Sequence, residues 1–550
     1  MSDGGHLLVQ CLQSQGVDNV FCVPGESYLA VLNALHGESI RVVNCRHESS
    51  ATMMADAQGK LTGRPGVAMV TRGPGATNAS AGVHIAQQDS TPLVLFVGQI
   101  GLDMDGRDAF QEIDYRLMFG SIAKWVTEIR SVERIPEIIA HAWSVAMSGR
   151  PGPVVIALPE DMLTSAVNKR PCKRTEVSKP APNPDDLVTL KQRLEAAENP
   201  ICILGGSRWS RESSLAMEEF SESWDLPVVC SFRRQMLFDH LHPNFVGELG
   251  LGVNPKLISR IRNSDLILLI GGRLSELPSQ GYTLQSMGDF ERLVHVHPGA
   301  EELERVYQSN LLINATPDMF LRMAPRGLST GPSRCRSAHA EYLQWSTPLA
   351  DGIGSLHMHF VSAFLEEHLP DDAVITNGAG NYTAWMQRFR RYREYGTQLA
   401  PISGSMGYGL PAAIAAKITQ PTKPVICLAG DGCYQMNSQE LATAVQEQTN
   451  ILILVIDNGM YGTIRMHQER NYPGRVSATR LLNPDFAMQA RAAGAFGETV
   501  TKNDEFQSVF ERALTHDGPA LLHLIIDPEG ITPNISLSEM RATALAACAN

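Results

Sequence analysis

The sequence predicts an α/β protein made of three doubly wound domains, each with a parallel sheet covered by helices on both faces. Short apolar runs recur along the 550 residues, and most end abruptly in a Gly-rich or polar cluster. Continuous runs of roughly 4–8 apolar residues are typical of strands buried on both faces. Helical stretches separate the runs, and two segments rich in Pro and polar residues divide them into three series.

The first predicted domain covers residues 1–168. Its apolar runs, each followed by a turn, predict buried strands at 19–23, 66–71, 92–98 and 153–159. A linker over residues 170–186 follows, because Pro171, Pro180, Pro182 and Pro184 lie there among charged and polar residues.

The second and third domains are predicted over residues 186–325 and 355–535. Residues 325–352, rich in Gly, Ser, Pro and Arg, separate them as a second linker. The predicted strands lie at 200–206, 227–231, 266–272 and 293–297 in the second domain, and at 373–376, 423–430, 451–457 and 520–526 in the third. The first and third domains share a strand, a Gly-rich turn and a helix in the same order.

Composition excludes several classes of partner. The net charge is −12 and no Lys/Arg-rich run occurs, so neither nucleic acid nor an anionic membrane is an expected partner. No stretch approaches the ~18 apolar residues of a transmembrane helix, and the N-terminus does not resemble a secretory signal. Ten cysteines without a CxxC pair fit a reducing compartment. We therefore expect a cytoplasmic protein that acts on small molecules.

Two predicted strands of the third domain end in candidate metal ligands. Asp431 follows the strand 423–430, and Asn458 follows the strand 451–457. Ligands of open α/β sheets bind outside the carboxyl ends of the strands. Carboxylate and amide oxygens suit Mg²⁺, which also takes phosphate oxygens. Gly430 and Gly432 are expected to let a diphosphate approach the backbone, and a helix is predicted between the two strands, over 437–448.

The spacing of these residues resembles a known cofactor motif. Gly-Asp-Gly, then 24 residues, then Asp-Asn is similar to the thiamine diphosphate motif of the thiamine-dependent enzymes. The resemblance implies thiamine diphosphate and Mg²⁺ as cofactors, with Asp431, Asn458 and the backbone carbonyl of Met460 as the metal ligands. The alternative is a pair of ordinary strand-to-helix turns in a dinucleotide-binding domain.

Glu48 precedes an Ala-rich predicted helix in Cys45-Arg-His-Glu48. Taken alone, it is a first-turn helix acid stabilised by the helix dipole. In this arrangement it resembles the glutamate of thiamine-dependent decarboxylases and carboligases. The resemblance implies that its carboxyl bonds N1′ of the aminopyrimidine ring and thereby promotes loss of the C2 proton of the thiazolium.

Further segments resemble the acetolactate synthase large subunit, and the resemblance extends over nearly the whole chain in the order pyrimidine-binding, central and diphosphate-binding domain. Val23-Pro24-Gly25 and Arg72-Gly-Pro-Gly-Ala-Thr-Asn belong to the first domain. Phe110 and Gln111 match family residues next to the cofactor, although an exposed loop is the plain alternative. Pro24 and Gly25 are expected to contact the cofactor.

The diphosphate-binding domain carries two more such segments. In Ser403-Gly404-Ser-Met406, the resemblance implies that Met406 supports the bent cofactor and that the Gly404 carbonyl accepts from its 4′-amino group. Core filling is the alternative for Met406. Asn381 and Tyr382 stand where the family often has Gln-His at the diphosphate, and backbone N–H groups at a helix start would serve there as well.

The chain also departs from the acetolactate synthase pattern. Glu26 replaces a small residue after Pro-Gly, and His467 lies near the position of a pocket Trp. Both changes predict an acceptor other than pyruvate. The central domain has Arg273-Leu-Ser-Glu where the family has its flavin segment Arg-Phe-Asp-Asp, so the sequence leaves FAD open as a further cofactor. Gly205-Gly206 and Gly271-Gly272 are weak nucleotide signals, since neither forms G-x-G-x-x-G.

These features predict a carboligase or decarboxylase acting on 2-oxo acids, with 2-oxo acids or aldehydes as substrates. A decarboxylase or acyloin lyase with a non-pyruvate substrate is an alternative within the family. A dinucleotide-dependent oxidoreductase is the alternative of another class, and a non-catalytic relative is a third. The resemblance implies a homodimer or homotetramer and leaves a regulatory subunit undetermined.

Overall fold

The computed structural model describes residues 2–286, 288–328 and 333–549. It contains three six-stranded sheets, and every pairing within them is parallel. Apolar strand residues alternate between the two faces of each sheet, as a sheet with helices on both sides requires. The predicted α/β fold with three parallel sheets is confirmed.

The N-terminal domain has the sheet order β3-β2-β4-β5-β7-β6, with a separate antiparallel pair β1-β8. Its strands are β1 (Ser2–Asp3), β2 (Asn19–Cys22), β3 (Arg41–Asn44), β4 (Gly66–Val70), β5 (Leu93–Gln99), β6 (Trp125–Glu128), β7 (Pro153–Pro159) and β8 (Ala166–Val167). Its helices are α1 (Gly4–Gln15), α2 (Leu29–Leu35), α3 (Glu48–Thr62), α4 (Pro74–Asp89), α5 (Tyr115–Phe119), α6 (Ile135–Met147) and α7 (Glu160–Thr164).

The central domain has the sheet order β11-β10-β9-β12-β13-β14. Its strands are β9 (Pro200–Leu204), β10 (Val228–Cys230), β11 (Phe245–Glu248), β12 (Leu266–Ile270), β13 (Leu293–His297) and β14 (Leu311–Asn314). Its helices are α8 (Pro184–Ala196), α9 (Arg211–Trp224), α10 (Pro255–Arg262), α11 (Pro317–Met323) and α12 (Cys335–Trp345). Helix α12 lies inside the stretch predicted as a linker over 325–352, so that prediction was wrong for these residues.

The C-terminal domain has the sheet order β16-β15-β17-β18-β20-β19. Its strands are β15 (Val374–Asn377), β16 (Gln398–Leu399), β17 (Val425–Gly430), β18 (Leu452–Asp457), β19 (Phe496–Val500) and β20 (Ala520–Ile525). Its helices are α13 (Met358–His368), α14 (Thr383–Phe389), α15 (Gly409–Thr419), α16 (Asp431–Gln435), α17 (Glu440–Gln446), α18 (Gly462–Asn471), α19 (Phe486–Ala492), α20 (Asn503–Thr515) and α21 (Leu537–Ala549). Helix α17 lies within the helical stretch predicted over 437–448, and a further short helix, α16, precedes it.

The N-terminal and C-terminal sheets have the same topology. Counted from its second strand, β2, the N-terminal order is identical to that of the six C-terminal strands. In both sheets the second strand lies on one side of the first strand, and the third strand lies on the other side. This reversal of strand order opens a crevice at the carboxyl ends of the strands. The shared pattern of strand, turn and helix therefore reflects one shared topology.

The chain forms two compact units. Residues 1–178, 414–421 and 439–447 make up the first, and the remaining residues make up the second. Helix α17 therefore belongs to the unit of the N-terminal domain, although it lies between β17 and β18 in the chain. Among the described residues, no helix combines the length and apolar character needed to cross a bilayer.

A buried ionic cluster joins two helices in the N-terminal domain. The ammonium of Lys60 on α3 contacts the carboxylates of Asp56, at 2.8 Å, and of Asp89 on α4. Both carboxylates are fully buried. Because buried charges are costly unless they are paired, the ammonium of Lys60 stabilises both carboxylates.

Replacing Lys60 with Met should destabilise the N-terminal domain by ~3–5 kcal/mol, since two buried carboxylates would each lose one ion-pair partner. Calorimetric melting would measure the effect. Lys191→Met is the matched control, because Lys191 and Glu195 form an exposed helical pair worth at most about 1 kcal/mol. Equal melting temperatures for the two variants would contradict the prediction.

Candidate active site

One cavity of about 230 Å³ lies at the carboxyl ends of the strands in the C-terminal domain. The turns after β15, β16, β17 and β18 line it, because the parallel order places these strand ends at one edge of the sheet. The structure brings together in this cavity nine residues assigned from the sequence: Asn381, Tyr382, Gly404, Met406, Gly430, Asp431, Gly432, Asn458 and Met460.

Asp431, the first residue of α16, is buried with both carboxylate oxygens hydrogen-bonded. Oδ1 accepts from the backbone N–H of Gly432 at 2.8 Å. Oδ2 accepts from the N–H of Met460 at 3.2 Å and from Nδ2 of Asn483 at 2.8 Å. Residues 431 and 460, which follow neighbouring strands, are therefore in direct contact.

Asn483 is part of the site but carried no signal that the sequence analysis used. Its Nδ2 donates to Oδ2 of Asp431 and to Oδ1 of Asp457, both at 2.8 Å. Its Oδ1 accepts from Gln435 at 2.9 Å. One amide thus bridges two carboxylates at the ends of the neighbouring strands β17 and β18.

His523 on β20 completes this buried network. Its Nε2 lies 2.9 Å from Oδ2 of Asp457, and its ring packs edge-on against Phe486. A histidine inside the otherwise apolar strand 520–525 was the available sequence signal, since a buried polar group needs a partner. His523 supplies the donor that the second carboxylate requires.

The two carboxyl groups respond differently to this environment. Burial raises the pKa of Asp431 to about 6, and the nearby charge of Asp457 acts in the same direction. Burial also acts to raise the pKa of Asp457, but hydrogen bonds from His523, Gly459 and Asn483 hold it below the usual value. Because burial destabilises its charged form, Asp431 would gain from a cation placed beside it.

Two glycines of the motif accommodate aromatic rings. A Cβ on Gly432 would lie 2.5 Å from Cε1 of Tyr461, and one on Gly430 would lie 2.9 Å from Cδ1 of Tyr382. The rings therefore leave no room for a side chain at either position. The hydroxyl of Tyr382 accepts from the N–H of Gly378 at 3.1 Å and donates to Sγ of Cys433 at 3.3 Å. Tyr382 thus forms part of the cavity wall.

Asn381 ties two segments of the cavity wall together. Its Oδ1 accepts from the hydroxyl of Thr463 at 2.8 Å, and its Nδ2 donates to the carbonyl of Ile531 at 3.1 Å. The amide is therefore engaged by protein groups on α18 and on the segment after β20. Met406 lines the same cavity while packing against the domain core, so both of its predicted roles remain compatible with its position.

Glu48 is the first residue of α3 and is half-buried. Its Oε2 accepts from Nδ2 of Asn78 on α4 at 3.0 Å. The preceding residue, His47, caps the helix by accepting the N–H of Ser49 at 3.2 Å. The carboxyl group is thereby oriented at the carboxyl-end edge of the N-terminal sheet, just after β3.

The other predicted residues of the N-terminal domain lie near the same edge. Gln111 is half-buried, with its Oε1 buried and unpartnered among the described residues. Its Cβ lies 2.7 Å from the position of a Cβ on Gly73, the residue that begins the turn after β4. Phe110 is 74% exposed and Pro24 is exposed, whereas Gly25 packs closely on Thr71.

Neither departure from the family pattern lines the cavity of the C-terminal domain. Glu26 is exposed at the start of a short 3₁₀ turn after β2. His467 is exposed on α18, one residue beyond Met466, whose sulfur contacts Asn381. Instead, the cavity wall is largely apolar and includes Trp385, Ile456, Ile464, Ile526 and Ile531.

The glycine pairs of the central domain are used in packing. A Cβ on Gly206 would lie 1.7 Å from the carbonyl oxygen of Gly271, so the turns after β9 and β12 touch through their backbones. Trp209 covers them, donating its indole N–H to the carbonyl of Gly205 at 2.8 Å. This contact explains the glycines without a nucleotide.

The polar groups that line the cavity of the C-terminal domain are suited to bind a diphosphate together with a divalent cation. Among the residues described, no three His, Cys, Asp or Glu side chains cluster as a metal site. A cation at Asp431 would therefore draw on the Asn458 amide and on backbone oxygens, which is hard-ligand chemistry. The indole N–H of Trp385, in the cavity wall, is buried without a partner in the described part of the chain.

Comparison with protein families agrees with this geometry. Three models match in order: the N-terminal thiamine pyrophosphate (TPP)-binding domain of thiamine pyrophosphate enzymes over residues 2–118, the central domain over 187–323, and the C-terminal TPP-binding domain over 378–524. The chain belongs to the thiamine pyrophosphate enzyme family. Its cofactor is accordingly thiamine diphosphate.

Curated relatives of this thiamine diphosphate enzyme extend over almost its full length. The acetolactate synthase isozyme 3 large subunit of Escherichia coli is 31% identical, covering 94% of this chain and 92% of the relative. The isozyme 2 large subunit of the same organism is 29% identical, covering 98% and 99%. A putative thiamine pyrophosphate-containing protein, YdaP of Bacillus subtilis, is 29% identical, covering 96% and 92%.

A buried ionic contact holds the C-terminal helix of the enzyme against the cavity wall. Glu469 on α18 is fully buried and accepts two hydrogen bonds from Arg541 on α21, at 2.7 and 2.6 Å. Arg465 contacts the same carboxylate at 2.6 Å. The bonds from Arg541 are the main reason that the pKa of Glu469 falls to about 2. Because α18 begins in the cavity wall, this contact fixes part of the site.

Replacing Glu469 with Gln should destabilise the C-terminal domain by ~3 kcal/mol at pH 7, since two arginines lose their partner. The depressed pKa adds stability above the ordinary value near 4.5, and this stability disappears as the pH falls toward about 2. The difference in melting temperature from wild type should therefore shrink over that interval. Glu498→Gln, which breaks the more exposed pair with Arg512, is the control and should change little. A difference that does not vary with pH would contradict the assignment.

Proposed function

We propose that this chain is a thiamine diphosphate- and Mg²⁺-dependent enzyme that decarboxylates a 2-oxo acid and transfers the remaining carbon unit to an acceptor, as an acetolactate synthase does. The family membership supplies the cofactor, and relatives named acetolactate synthase cover nearly the whole chain. Decarboxylation without transfer, or cleavage of an acyloin, is the alternative within the same chemistry.

The observation that carries the proposal is the contact between Asp431 and Met460. The N–H of Met460 donates to the Asp431 carboxylate across two strand ends, inside the cavity that Asn458 also lines. We infer that Mg²⁺ binds there, held by Asp431, by the amide oxygen of Asn458 and by the backbone carbonyl of Met460. Two protein side chains plus phosphate oxygens suit this ion.

When bound, thiamine diphosphate supplies a carbon nucleophile that also serves as an electron sink. Glu48 would hold a proton between its carboxyl group and N1′ of the aminopyrimidine, with Asn78 fixing the direction of the carboxyl. Met406 would support the cofactor from beneath, and Gly404 would accept from its 4′-amino group. Phe110 and Gln111 would complete the substrate side of the site.

The apolar wall of the cavity supports a decarboxylation step. Ile456, Ile464, Ile526 and Ile531 surround the space next to the metal ligands. A carboxylate is poorly solvated beside such residues, which favours its loss as neutral CO₂. Glu26 and His467 do not belong to this wall.

A substrate screen tests the reaction class. The purified protein, with thiamine diphosphate and Mg²⁺, should release CO₂ from a 2-oxo acid and form a 2-hydroxy-ketone product, detected by mass spectrometry. From the two departures in sequence, we expect pyruvate to be a weaker acceptor than a larger or more polar one. CO₂ release from no 2-oxo acid, or efficient acetolactate formation from pyruvate alone, would contradict these expectations.

We also propose a cytoplasmic homodimer or homotetramer. The basis is the family resemblance, in which the cofactor lies between the first domain of one subunit and the third domain of another. Two of the relatives described above are named as large subunits. A regulatory partner of this chain would have to be identified by a separate experiment. Sedimentation analysis of the purified protein measures the assembly, and an active monomer would contradict the proposal.

Replacing Asp431 with Ala should abolish Mg²⁺-dependent binding of thiamine diphosphate, because the metal links this carboxylate to the diphosphate. Asn458→Ala should weaken binding less, since it removes a neutral ligand. Isothermal titration calorimetry measures both. Asp504→Ala, at an exposed aspartate of α20 in the same domain, is the control, and wild-type affinity in Asp431→Ala would exclude the assigned metal site.

Replacing Glu48 with Gln should leave the affinity for thiamine diphosphate nearly intact but slow exchange of its C2 proton by ~10²–10⁴-fold, because an amide does not share the proton with N1′. Proton NMR after acid quench measures this exchange. Glu38→Gln, a change at an exposed glutamate of the same domain, should exchange at the wild-type rate. Wild-type exchange in Glu48→Gln would refute the proposed role.

A further inference from the structure

Helix α17 docks on the segment that leads to Glu48. The helix is encoded between β17 and β18, but it belongs to the same compact unit as the N-terminal domain. Its contacts are made with residues 41–50, which run from β3 into the first turn of α3. Three side-chain contacts form the outer part of this junction: Arg41 with Glu447, Arg46 with Gln446, and Thr443 with the carbonyl of Asn44.

The inner part of the junction is a buried acid, Glu440. Its side chain has no exposed surface. Oε1 accepts from the backbone N–H of Arg46 at 3.0 Å, and Oε2 accepts from the hydroxyl of Thr443 at 2.7 Å. Burial raises the pKa of Glu440, and the hydrogen bonds from Thr443 and Arg46 oppose that rise. A fully buried acid is costly to keep, yet the steps described above make no use of this one.

The peptide that Glu440 holds lies two residues ahead of Glu48. His47, which separates them, is the extended capping residue of α3, and Glu48 is the first residue of the helix. The direction in which the chain enters α3 therefore depends on the position of the Arg46 peptide. Asn78 restrains the Glu48 carboxyl directly at 3.0 Å, whereas Glu440 restrains the backbone that carries it.

We propose that Glu440 is a positioning residue for Glu48, fixing the backbone before α3 so that the Glu48 carboxyl is held in one place. This inference rests on the role proposed for Glu48. Glu440 does not line the cavity described above, and it acts through the backbone of Arg46 and His47 and through Ser50 on α3. A displacement near 1 Å at a group that shares a proton is sufficient to cost ~10²-fold in rate.

The outer contacts of α17 do not account for the buried acid. The side chain of Arg41 is 44% exposed and Arg46 is exposed as well, whereas the side chain of Glu447 is 10% exposed. These contacts help to hold the helix on this surface. Glu440 adds acceptors for backbone N–H groups at and next to the capping residue of the helix that begins with Glu48.

The experiment compares five forms of the full-length protein: wild type, Glu440→Ala, Glu440→Gln, Glu447→Gln and Glu48→Gln. Each is loaded with thiamine diphosphate and Mg²⁺. Proton NMR after acid quench measures C2 exchange of the bound cofactor. Calorimetry measures the affinity for thiamine diphosphate and the melting temperature, so that positioning is separated from binding and folding.

Glu440→Ala should slow C2 exchange by ~10–10²-fold while the dissociation constant of thiamine diphosphate stays within about threefold of wild type, a difference below 1 kcal/mol. Glu440→Gln keeps an oxygen that accepts from Arg46, so it should restore most of the exchange rate. Glu447→Gln removes the outer contact with Arg41 on the same helix and should exchange at nearly the wild-type rate.

Several outcomes would overturn the inference. One is a wild-type rate of C2 exchange in Glu440→Ala. Another is a fall in the exchange rate of Glu447→Gln as large as that of Glu440→Ala, which would show that the effect comes from docking of α17 in general. A parallel loss of cofactor affinity and exchange would show a merely structural role. If Glu440→Ala does not fold, Thr443→Val removes the hydroxyl that orients Glu440 and should slow exchange by ~3–10-fold; an unchanged rate would then overturn the inference.

The Glu48→Gln protein separates this inference from the proposed function. Slow exchange in Glu48→Gln with wild-type exchange in Glu440→Ala would leave the proposed function in place and reject the positioning role. Wild-type exchange in Glu48→Gln would reject the proposed role of Glu48 and, with it, the reason for positioning that residue. Slow exchange in both, with the cofactor still bound, is the expected result.

Discussion

Parallel strand order is the constraint on which the candidate site depends. Because every pairing in the C-terminal sheet is parallel, residues that follow β15, β16, β17 and β18 reach the same edge although they are far apart in the chain. The same order brings two acidic side chains, Asp431 and Asp457, to the ends of adjacent strands. Their proximity is tolerated because the amide of Asn483 donates to both and His523 donates to the second. The geometry that assembles the proposed cation site therefore also includes a supporting network of neutral and basic groups behind it.

The residues that hold the site in place lie outside the sequence motifs from which the site was predicted. Asn483 precedes α19, Glu440 begins α17, and Glu469 is tied to Arg541 on the last helix. Each is a buried or partly buried polar group with several partners, and such groups are costly when a partner is missing. The residues that would contact the cofactor are thus held by side chains encoded tens to hundreds of positions away. This arrangement is consistent with a site that must keep a carboxyl group and a cation position fixed while a flexible ligand binds.

Glycine residues serve different purposes in the central domain and in the C-terminal domain. In the central domain, Gly206 and Gly271 let two backbones touch, and the indole of Trp209 covers them. In the C-terminal domain, Gly430 and Gly432 admit the rings of Tyr382 and Tyr461 to the cavity wall. The residue type is the same, but the neighbour that fills the space differs. A glycine pattern in the sequence therefore indicates a close approach without saying what approaches.

The sequence by itself determined the fold class, the positions of most buried strands and the family, because continuous apolar runs and the spacing from Asp431 to Asn458 are local properties. It did not determine the break between α16 and α17, the helix Cys335–Trp345 inside an apparent linker, or the contacts of Asn381 with Thr463 and Ile531. Helix ends depend on which side chains are available to cap and bury them, and that availability is a tertiary property. Only the tertiary structure showed that Glu440 reaches the Arg46 peptide, since nothing local in either segment indicates a partner nearly 400 residues away. Hydrogen bonds between distant segments are fixed by the packing of whole elements, and the order of residues in the chain does not record that packing.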